Sequence, residues 1–178
     1  FTILVSAVTT DYRIETATNS AVSGRWYHVC FTFSSADDQL RIYINGVEDA
    51  NSPNTGGSGT MVNGTVNFVI GALSTTAANL MCDGKIEEIS VWLSNTGDAN
   101  AVLTSQEIAN LASSRTRRIP LQIQNNNLVM YLPMDDGKDG SSADLDTCFD
   151  YFSTNDGNPD NGVNNTGCLW AASTVLTY

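Results

Sequence analysis

The chain is short of positive charge. Only 8 lysine and arginine residues stand against 19 aspartate and glutamate residues, which gives a formal net charge of −11. Such a surface repels the phosphates of nucleic acids and anionic lipid headgroups, and no apolar run approaches the roughly 18 residues of a membrane-spanning helix. We therefore expect no nucleic-acid partner and no membrane insertion. Solubility, a cationic partner and Ca²⁺ binding remain as reasons for the acidity.

Residues that carry familiar catalytic chemistry are also scarce. His28 is the single histidine, and it lies in a predicted core strand, where a structural imidazole is expected rather than a general base. The chain has no G-x-S-x-G motif and no phosphate-binding glycine loop. Its four cysteines show no C-x-x-C spacing. Nucleophilic, phosphate and zinc chemistry are therefore disfavoured.

The remaining composition favours a globular all-β protein. Hydrophobic residues make up 42% of the chain and charged residues 15%, a balance that distinguishes folded from disordered proteins. Strong helix formers are few, whereas Thr, Val, Ile, Asn and Gly are frequent. We predict a single domain over 1–178. Because the chain starts at Phe1 rather than Met, we expect a processed part or fragment of a larger protein.

An aromatic-rich segment predicts a β-hairpin. Trp26–Phe33 is dense in aromatic and β-branched residues, as strands are, and Ser34–Asp38 supplies polar turn residues. In Leu40–Ile44, bulky apolar residues alternate with more solvent-exposed positions. This period of two is typical of a strand with one buried face. Asn45-Gly46 then provides the residue pair best suited to positive φ in a tight turn. Other predicted strands are Thr2–Val8, Tyr12–Ala17, Val66–Gly71, Asp83–Trp92 and Leu128–Gly137.

One short helix is predicted over 104–113. Thr104 and Glu107 have the spacing of a capping box, in which the threonine caps the Glu107 amide and the glutamate reaches back. An apolar stripe at helical spacing follows, formed by Ile108, Leu111 and Ala112.

Several strand motifs resemble those of laminin-G-like domains, the concanavalin A-like jelly rolls of laminin-G and pentraxin type. They are W-Y-H-V-x-F-T-F…L-R-I-Y-I-N-G-V from Trp26, F-x-I-G-A at Phe68–Ala72 and G-x-I-x-x-[VIF]-x-[IVL]-[WY] at Gly84–Trp92. The resemblance covers residues 22–137 and implies a two-sheet antiparallel jelly-roll sandwich with one short helix. Leu128–Gly137 resembles the strand that opens many such domains. A shifted strand order, a following repeat and missing N-terminal sequence are open explanations for its late position.

The resemblance implies a non-catalytic recognition or adhesion module that contacts a glycan or a protein neighbour, outside the cell or on a particle surface. One alternative is a structural or decoration subunit of a virion or filament that packs against its own copies. Another is a degenerate family-16-like glycosidase, which shares this jelly roll. Retaining glycosidases need two carboxylates about 5–5.5 Å apart. Glu87 and Glu88 point to opposite faces of their predicted strand, so no enzyme activity is expected.

Aromatic side chains on a sheet of this kind are the candidate ligand-binding residues. The candidates alternate with core positions and are Tyr12, Tyr27, Tyr43 and Trp92. In the superfamily, tryptophans such as Trp26 and Trp92 most often complete the core, and this alternative stays open.

The acidic, Gly- and Asn-rich tail over 138–178 is the candidate calcium site. Calcium prefers several carboxylate and carbonyl oxygens that converge in one loop. Asp156-x-Asn158-x-Asp160 mimics the first half of a D-x-N-x-D calcium loop, although Gly162 stands one position late. The predicted Ca²⁺ ligands are Asp146, Asp150, Asp156, Asn158 and Asp160. A solvated acidic loop held by a disulfide is the alternative.

The cysteines favour an oxidising, secreted or virion-like compartment. Cys148 and Cys168 bracket a loop of about 20 residues, and a disulfide there would remove about 3 kcal/mol of denatured-state entropy. Cys30 and Cys82 have three open fates: pairing with each other, pairing with cysteines elsewhere, or serving as small buried hydrophobes. Two sequons predict glycosylation, at Asn63 and Asn164.

Overall fold

The computed structural model describes residues 1–5, 7–17, 21–61, 84–93, 102–113 and 119–134. The strands in these ranges are Thr2–Val5 (β1), Tyr12–Glu15 (β2), Val29–Ser34 (β3), Gln39–Ile44 (β4), Val47–Glu48 (β5), Ile89–Trp92 (β6) and Leu128–Leu132 (β7). The helical elements are Ser105–Ala112 (α1) and two 3₁₀ turns, Pro120–Gln122 and Asn125–Asn127. No helix in the described ranges is long and apolar enough to span a membrane.

The chain divides into two compact units. One comprises Phe1–Gly64 and Trp92–Asn127, and the other comprises Thr65–Val91 and Leu128–Tyr178. The first unit contains β1 to β5 and α1, whereas the second contains β7 and most of β6. The single domain over 1–178 stays a prediction.

The first unit is built on a core between two antiparallel hairpins. β1 pairs with β2, with Val5 opposite Tyr12. Because side chains alternate along a strand, Tyr12 and Ile14 point inward with 0% and 3% of their surface exposed. The ion-paired Arg13 and Glu15 are exposed. The core cluster consists of Val5, Ala7, Tyr12, Ile14, Leu40 and Ile42.

The sheet β3–β4–β5 presents two different faces. β3 pairs antiparallel with β4, and β4 pairs antiparallel with β5. Leu40 and Ile42 on β4 bury one face in the core just described, so Arg41 and Tyr43 lie on the other face. The predicted tight turn between β4 and β5 is confirmed, with φ of 51° at Asn45 and 80° at Gly46.

The predicted helix and its capping box are confirmed. Thr104 Oγ1 accepts a hydrogen bond of 3.3 Å from the Glu107 amide, and the Thr104 amide donates one of 2.8 Å to Glu107 Oε2. The helix ends at Ala112 with Ser113 as its C-cap. Its buried side packs in a second cluster of Tyr43, Leu103, Ile108 and Ile123, against which Cys30, Trp92 and Leu111 pack.

The first two strands are shorter than predicted. β1 ends at Val5 rather than Val8, and β2 ends at Glu15 rather than Ala17. Beyond the end of β2, the Ala17 amide donates to Asp49 Oδ1 at 3.1 Å. The Thr16 amide still donates to the Phe1 carbonyl at 2.9 Å; because successive amides point to opposite edges of a strand, the Ala17 amide faces away from β1.

The strand β3 begins at Val29, so residues 26–28 precede it. The His28 amide donates to Asn45 Oδ1 at 3.0 Å, and the Asn45 amide donates to the His28 carbonyl at 2.8 Å. The turn residue thereby binds the backbone at the point where the chain enters the sheet. The expectation that Trp26 completes the core is wrong, because 49% of its surface is exposed.

Within the strand predicted over Asp83–Trp92, the described residues form a strand only over Ile89–Trp92. Glu88 has a φ of 57°, and this left-handed conformation cannot continue an extended strand. The predicted alternation of Glu87 and Glu88 across a strand is therefore wrong. Glu88 instead bonds within the second unit, where its carboxylate accepts a hydrogen bond of 2.8 Å from the Tyr131 hydroxyl.

In the second unit, β7 confirms the first part of the strand predicted over Leu128–Gly137. Leu132 is the centre of a small cluster against which Ile89, Met130 and Met134 pack. The predicted strand Val66–Gly71 lies outside the described residues.

Candidate functional site

A cleft of about 440 Å³ lies over the face of the β3–β4–β5 sheet that carries Arg41 and Tyr43. Its other wall is the segment that leads into α1. The lining combines hydroxyl, amide, charged and apolar side chains, from Thr32, Ser34, Asp37, Gln39, Arg41, Tyr43, Glu48, Val102, Leu103, Thr104 and Ser105.

Strand register explains why the polar residues meet on this face. Thr32 lies opposite Arg41 and Ser34 lies opposite Gln39, so each pair projects to the same side. The intervening β4 residues form the core on the other side. The tight turn places Glu48 opposite Tyr43, and this adds a carboxylate to the same face. A rigid backbone ladder thus holds the polar groups.

Two side chains hold Arg41 in the cleft. Its Nη1 lies 2.5 Å from Glu48 Oε1, and its Nη2 donates to Gln39 Oε1 at 2.6 Å. About a third of the Arg41 and Glu48 side-chain surface is exposed, 33% and 32%. Because the pair is diagonal across two strands and partly shielded from water, the guanidinium is held in one orientation.

The wall formed by the helix start is held by a carboxylate. Glu107 Oε2 accepts hydrogen bonds from the Thr104 amide and hydroxyl and from Gln124 Nε2, at 2.8, 2.9 and 2.9 Å. Burial by itself would raise the pKa of Glu107, but these hydrogen bonds outweigh it and lower the pKa below its ordinary value. On the sheet side of the lining, Ser34 Oγ donates to Asp37 Oδ2 at 2.8 Å.

At the inner end of the cleft the sheet face becomes apolar. Tyr43 is 3% exposed and belongs to the core under α1. Cys30 lies opposite it on β3 as a free thiol, and burial raises the pKa of this thiol to about 12. The thiol packs partly buried against this core, as the alternative of a small hydrophobe predicts. A thiol this weakly acidic is a poor nucleophile at neutral pH.

The four predicted ligand-binding aromatics do not form an exposed platform. Tyr12 is completely buried and Tyr43 nearly so, because both occupy core positions of their strands. Trp92 packs beside the cluster of Tyr43, and its Nε1 donates to the Ile123 carbonyl at 2.9 Å. Tyr27 is half-buried, and its hydroxyl accepts a hydrogen bond of 2.9 Å from the Val22 amide. Among these aromatics, Tyr43 lines the cleft.

The remaining predicted site residues lie outside the described residues and stay predictions. They are the calcium ligands Asp146, Asp150, Asp156, Asn158 and Asp160, the disulfide pair Cys148 and Cys168, and the sequon asparagines Asn63 and Asn164. Within the described ranges, no group of three or more His, Cys, Asp or Glu side chains is arranged to hold a metal ion.

Sequence reasoning did not identify Gln39, Arg41 and Glu48 as site residues. The signal was present: on β4, Gln39 and Arg41 alternate with the buried Leu40 and Ile42. A two-residue turn then fixes which residue of β5 returns to the same face. Extending the period-2 argument across that turn would have placed Glu48 beside Arg41.

A laminin-G family model, described as the concanavalin A-like lectin/glucanases superfamily, matches residues 1–109. The matched range contains every described residue that lines the cleft. No curated protein and no solved structure matches the chain. Laminin-G-like domains are generally non-catalytic, typically extracellular and bind carbohydrates or proteins. The antiparallel strands and the described helix agree with the predicted all-β fold class. The chain therefore belongs to the concanavalin A-like lectin/glucanase superfamily, as a laminin-G-like jelly-roll domain.

Proposed function

We propose that this domain is a non-catalytic recognition module that binds a glycan in the cleft on β3–β4–β5, outside the cell or on a particle surface. The observation that carries the proposal is a cleft of about 440 Å³ lined by hydroxyl, amide and charged side chains. Small-molecule sites typically measure about 300–1,000 Å³ and orient their ligands with a few placed polar groups. Sugar hydroxyls donate and accept hydrogen bonds, as these side chains do.

Pre-organisation supports binding at this site. Thr32 and Gln39 stand on paired strands, and Arg41 is tethered by two partners. Side chains already held in place lose little conformational freedom when a ligand arrives, so more of the contact energy appears as affinity.

Two carboxylates belong to the described lining of the cleft, and their contacts support recognition rather than hydrolysis. Glu48 is ion-paired with Arg41, and Asp37 accepts a hydrogen bond from Ser34. A retaining glycosidase would need a nucleophile and an acid facing one bond, and these two side chains serve local structure instead.

A glycan array with two bulky variants tests the proposal. Ser105→Tyr places a ring in the cleft, whereas Ser35→Tyr adds the same ring in the β3–β4 turn, at an exposed position that does not line it. We expect wild type and Ser35→Tyr to retain the same glycans and Ser105→Tyr to lose about tenfold in affinity. Failure to retain any glycan, or equal retention by all three proteins, would refute glycan binding in this cleft.

Calcium is proposed as a cofactor of this module, with the tail carboxylates Asp146, Asp150, Asp156 and Asp160 and the side chain of Asn158 as its ligands. Hard oxygen donors of this kind suit Ca²⁺. The array is therefore run in Ca²⁺ and in chelator. Loss of retention in chelator supports the cofactor, and identical retention in both buffers contradicts it.

A second candidate is a structural subunit that packs against its own copies. Val29, Phe31 and Val47 lie on the sheet face opposite the cleft and are 36%, 44% and 70% exposed. Adjacent exposed apolar side chains favour protein contacts. Light scattering, together with the glycan array, discriminates the two candidates. Large symmetric assemblies that bind no sugar favour the structural subunit, and a sugar-binding monomer contradicts it.

A further inference from the structure

We propose that the cleft selects uncharged glycans and discriminates against acidic ones, because its guanidinium is already engaged by Glu48. This inference rests on the proposed glycan-binding function. It concerns the class of sugar that the same site takes.

The formal charges of the cleft favour this selection. Among the described residues that line it, Arg41 carries the only positive charge, and Asp37 and Glu48 carry negative ones, which leaves a net charge of −1. The whole chain carries −11. A sugar with a carboxylate or sulfate therefore approaches a negative potential.

The contacts of Arg41 decide whether it can attract an anion. Arginine recognises carboxylates and sulfate-like groups through two parallel N–H donors. Here one terminal nitrogen lies 2.5 Å from Glu48 Oε1 and the other donates to Gln39 Oε1 at 2.6 Å. An acidic sugar would have to displace Glu48 and leave its partly buried carboxylate without a counter-charge, which is costly.

An uncharged sugar makes no such demand. Its hydroxyls can accept from N–H groups of Arg41 that face away from Glu48, and they can exchange hydrogen bonds with neutral lining groups such as Thr32 and Ser105. The Arg41–Glu48 pair then stays intact and acts as an oriented donor.

The test compares neutral oligosaccharides with their uronic-acid or sulfated counterparts, first on an array and then by calorimetry on the best-retained pair. For wild type we expect at least about tenfold tighter binding of the neutral member. Glu48→Gln releases the guanidinium and brings the cleft charge to zero, so the preference should shift by about tenfold or more toward the acidic member. Arg41→Gln removes the positive charge from the described lining of the cleft and should keep the neutral preference.

Glu15→Gln is the matched control. Glu15 also pairs with an arginine, Arg13, and its loss changes the net charge of the protein equally, but the pair is exposed and lines no part of the cleft. We expect Glu15→Gln to prefer neutral over acidic sugars by the same factor as wild type.

The outcomes separate the two proposals. Tighter binding of acidic sugars by wild type, or an unchanged preference in a folded Glu48→Gln, overturns the selection and leaves glycan binding intact. If Glu15→Gln shifts the preference as far as Glu48→Gln does, overall charge rather than the local pair controls it, and the inference is wrong. If no sugar of either class binds wild type, glycan binding itself fails, and the inference fails with it.

Discussion

The hydroxyl of Tyr12 on β2 donates a hydrogen bond of 2.6 Å to Asp38 Oδ1 in the turn between β3 and β4. The Tyr12 ring also packs edge-on against Phe33, with ring centroids 4.8 Å apart. Gly57 passes so close to the ring that a Cβ there would overlap it. One buried side chain therefore connects β2, the β3–β4 turn and the loop that follows β5.

We expect the Tyr12 hydroxyl to lose its proton at a higher pH than the hydroxyl of an ordinary tyrosine. Burial, the hydrogen bond to Asp38 and the negative charge of Asp38 raise the pKa of Tyr12 to about 12. Because the folded pKa is the higher one, the resulting stabilisation is complete below the unfolded value of about 10 and is lost as the pH rises toward about 12. Ultraviolet absorbance of wild type minus Tyr12→Phe isolates this titration. Asp38→Asn should move this titration to lower pH, and a component at about 10 in the difference between wild type and Tyr12→Phe would contradict the prediction.

Gly46→Ala should destabilise the protein more than Gly24→Ala. The two glycines have φ of 80° and 77°, so an alanine methyl costs about 1–2 kcal/mol of backbone strain at either. At Gly46 the methyl would also lie 3.0 Å from Ala109 Cα and 3.1 Å from Ala112 Cβ, whereas at Gly24 nothing lies within 4 Å. This contact should add about 1–3 kcal/mol. Urea unfolding measures the free energy of unfolding of both variants. Equal decreases would show that a methyl group in the β4–β5 turn makes no tight contact with α1.

The capping box of α1 should make stability depend on acid pH. The lowered pKa of Glu107 means that its stabilisation is present above the unfolded value of about 4.3 and is lost as the pH falls through the folded value. Thermal unfolding at neutral and at acid pH measures this effect. On acidification, the melting temperature of Glu107→Gln should fall less than that of wild type. Thr104→Ala, which removes the cap, should cost about 1 kcal/mol at neutral pH. Parallel pH curves for wild type and Glu107→Gln would contradict the role of this carboxylate.

The Cys30 thiol should resist alkylation in the folded protein. Its pKa of about 12 leaves almost no thiolate at neutral pH, and its side chain packs beneath α1. Iodoacetamide labelling with peptide mapping should modify Cys30 at least about a hundredfold more slowly in native buffer than in urea. Rapid native labelling at this position would show that the second core cluster opens readily.

Local features were predictable because a few neighbouring residues determine them. The Asn45-Gly46 turn needs only two positive φ angles, and the capping box of Thr104 and Glu107 satisfies its own amides. Both are as predicted. The left-handed Glu88 was missed because a strand pattern contains no signal for one reversed φ.

Period-2 alternation predicts that two faces exist, but the sequence does not state what covers each. Tyr12 and Tyr43 were therefore predicted as a ligand platform, and the structure buries one under the β1–β2 hairpin and the other under α1. Trp26 was expected in the core and is half exposed. Amphipathic aromatic side chains fit either environment, so only their neighbours in space decide the outcome.

The sequence alone determined the fold class, the hairpin, the tight turn and the capped helix, since each follows from periodicity or from contacts between residues a few positions apart. The tertiary structure alone decided that the segment that begins α1 covers the sheet face of Arg41 and Glu48, so that a cleft forms there. This covering depends on the packing of a helix more than fifty residues away in the chain. Long-range packing is set by the whole core, and no local pattern records it.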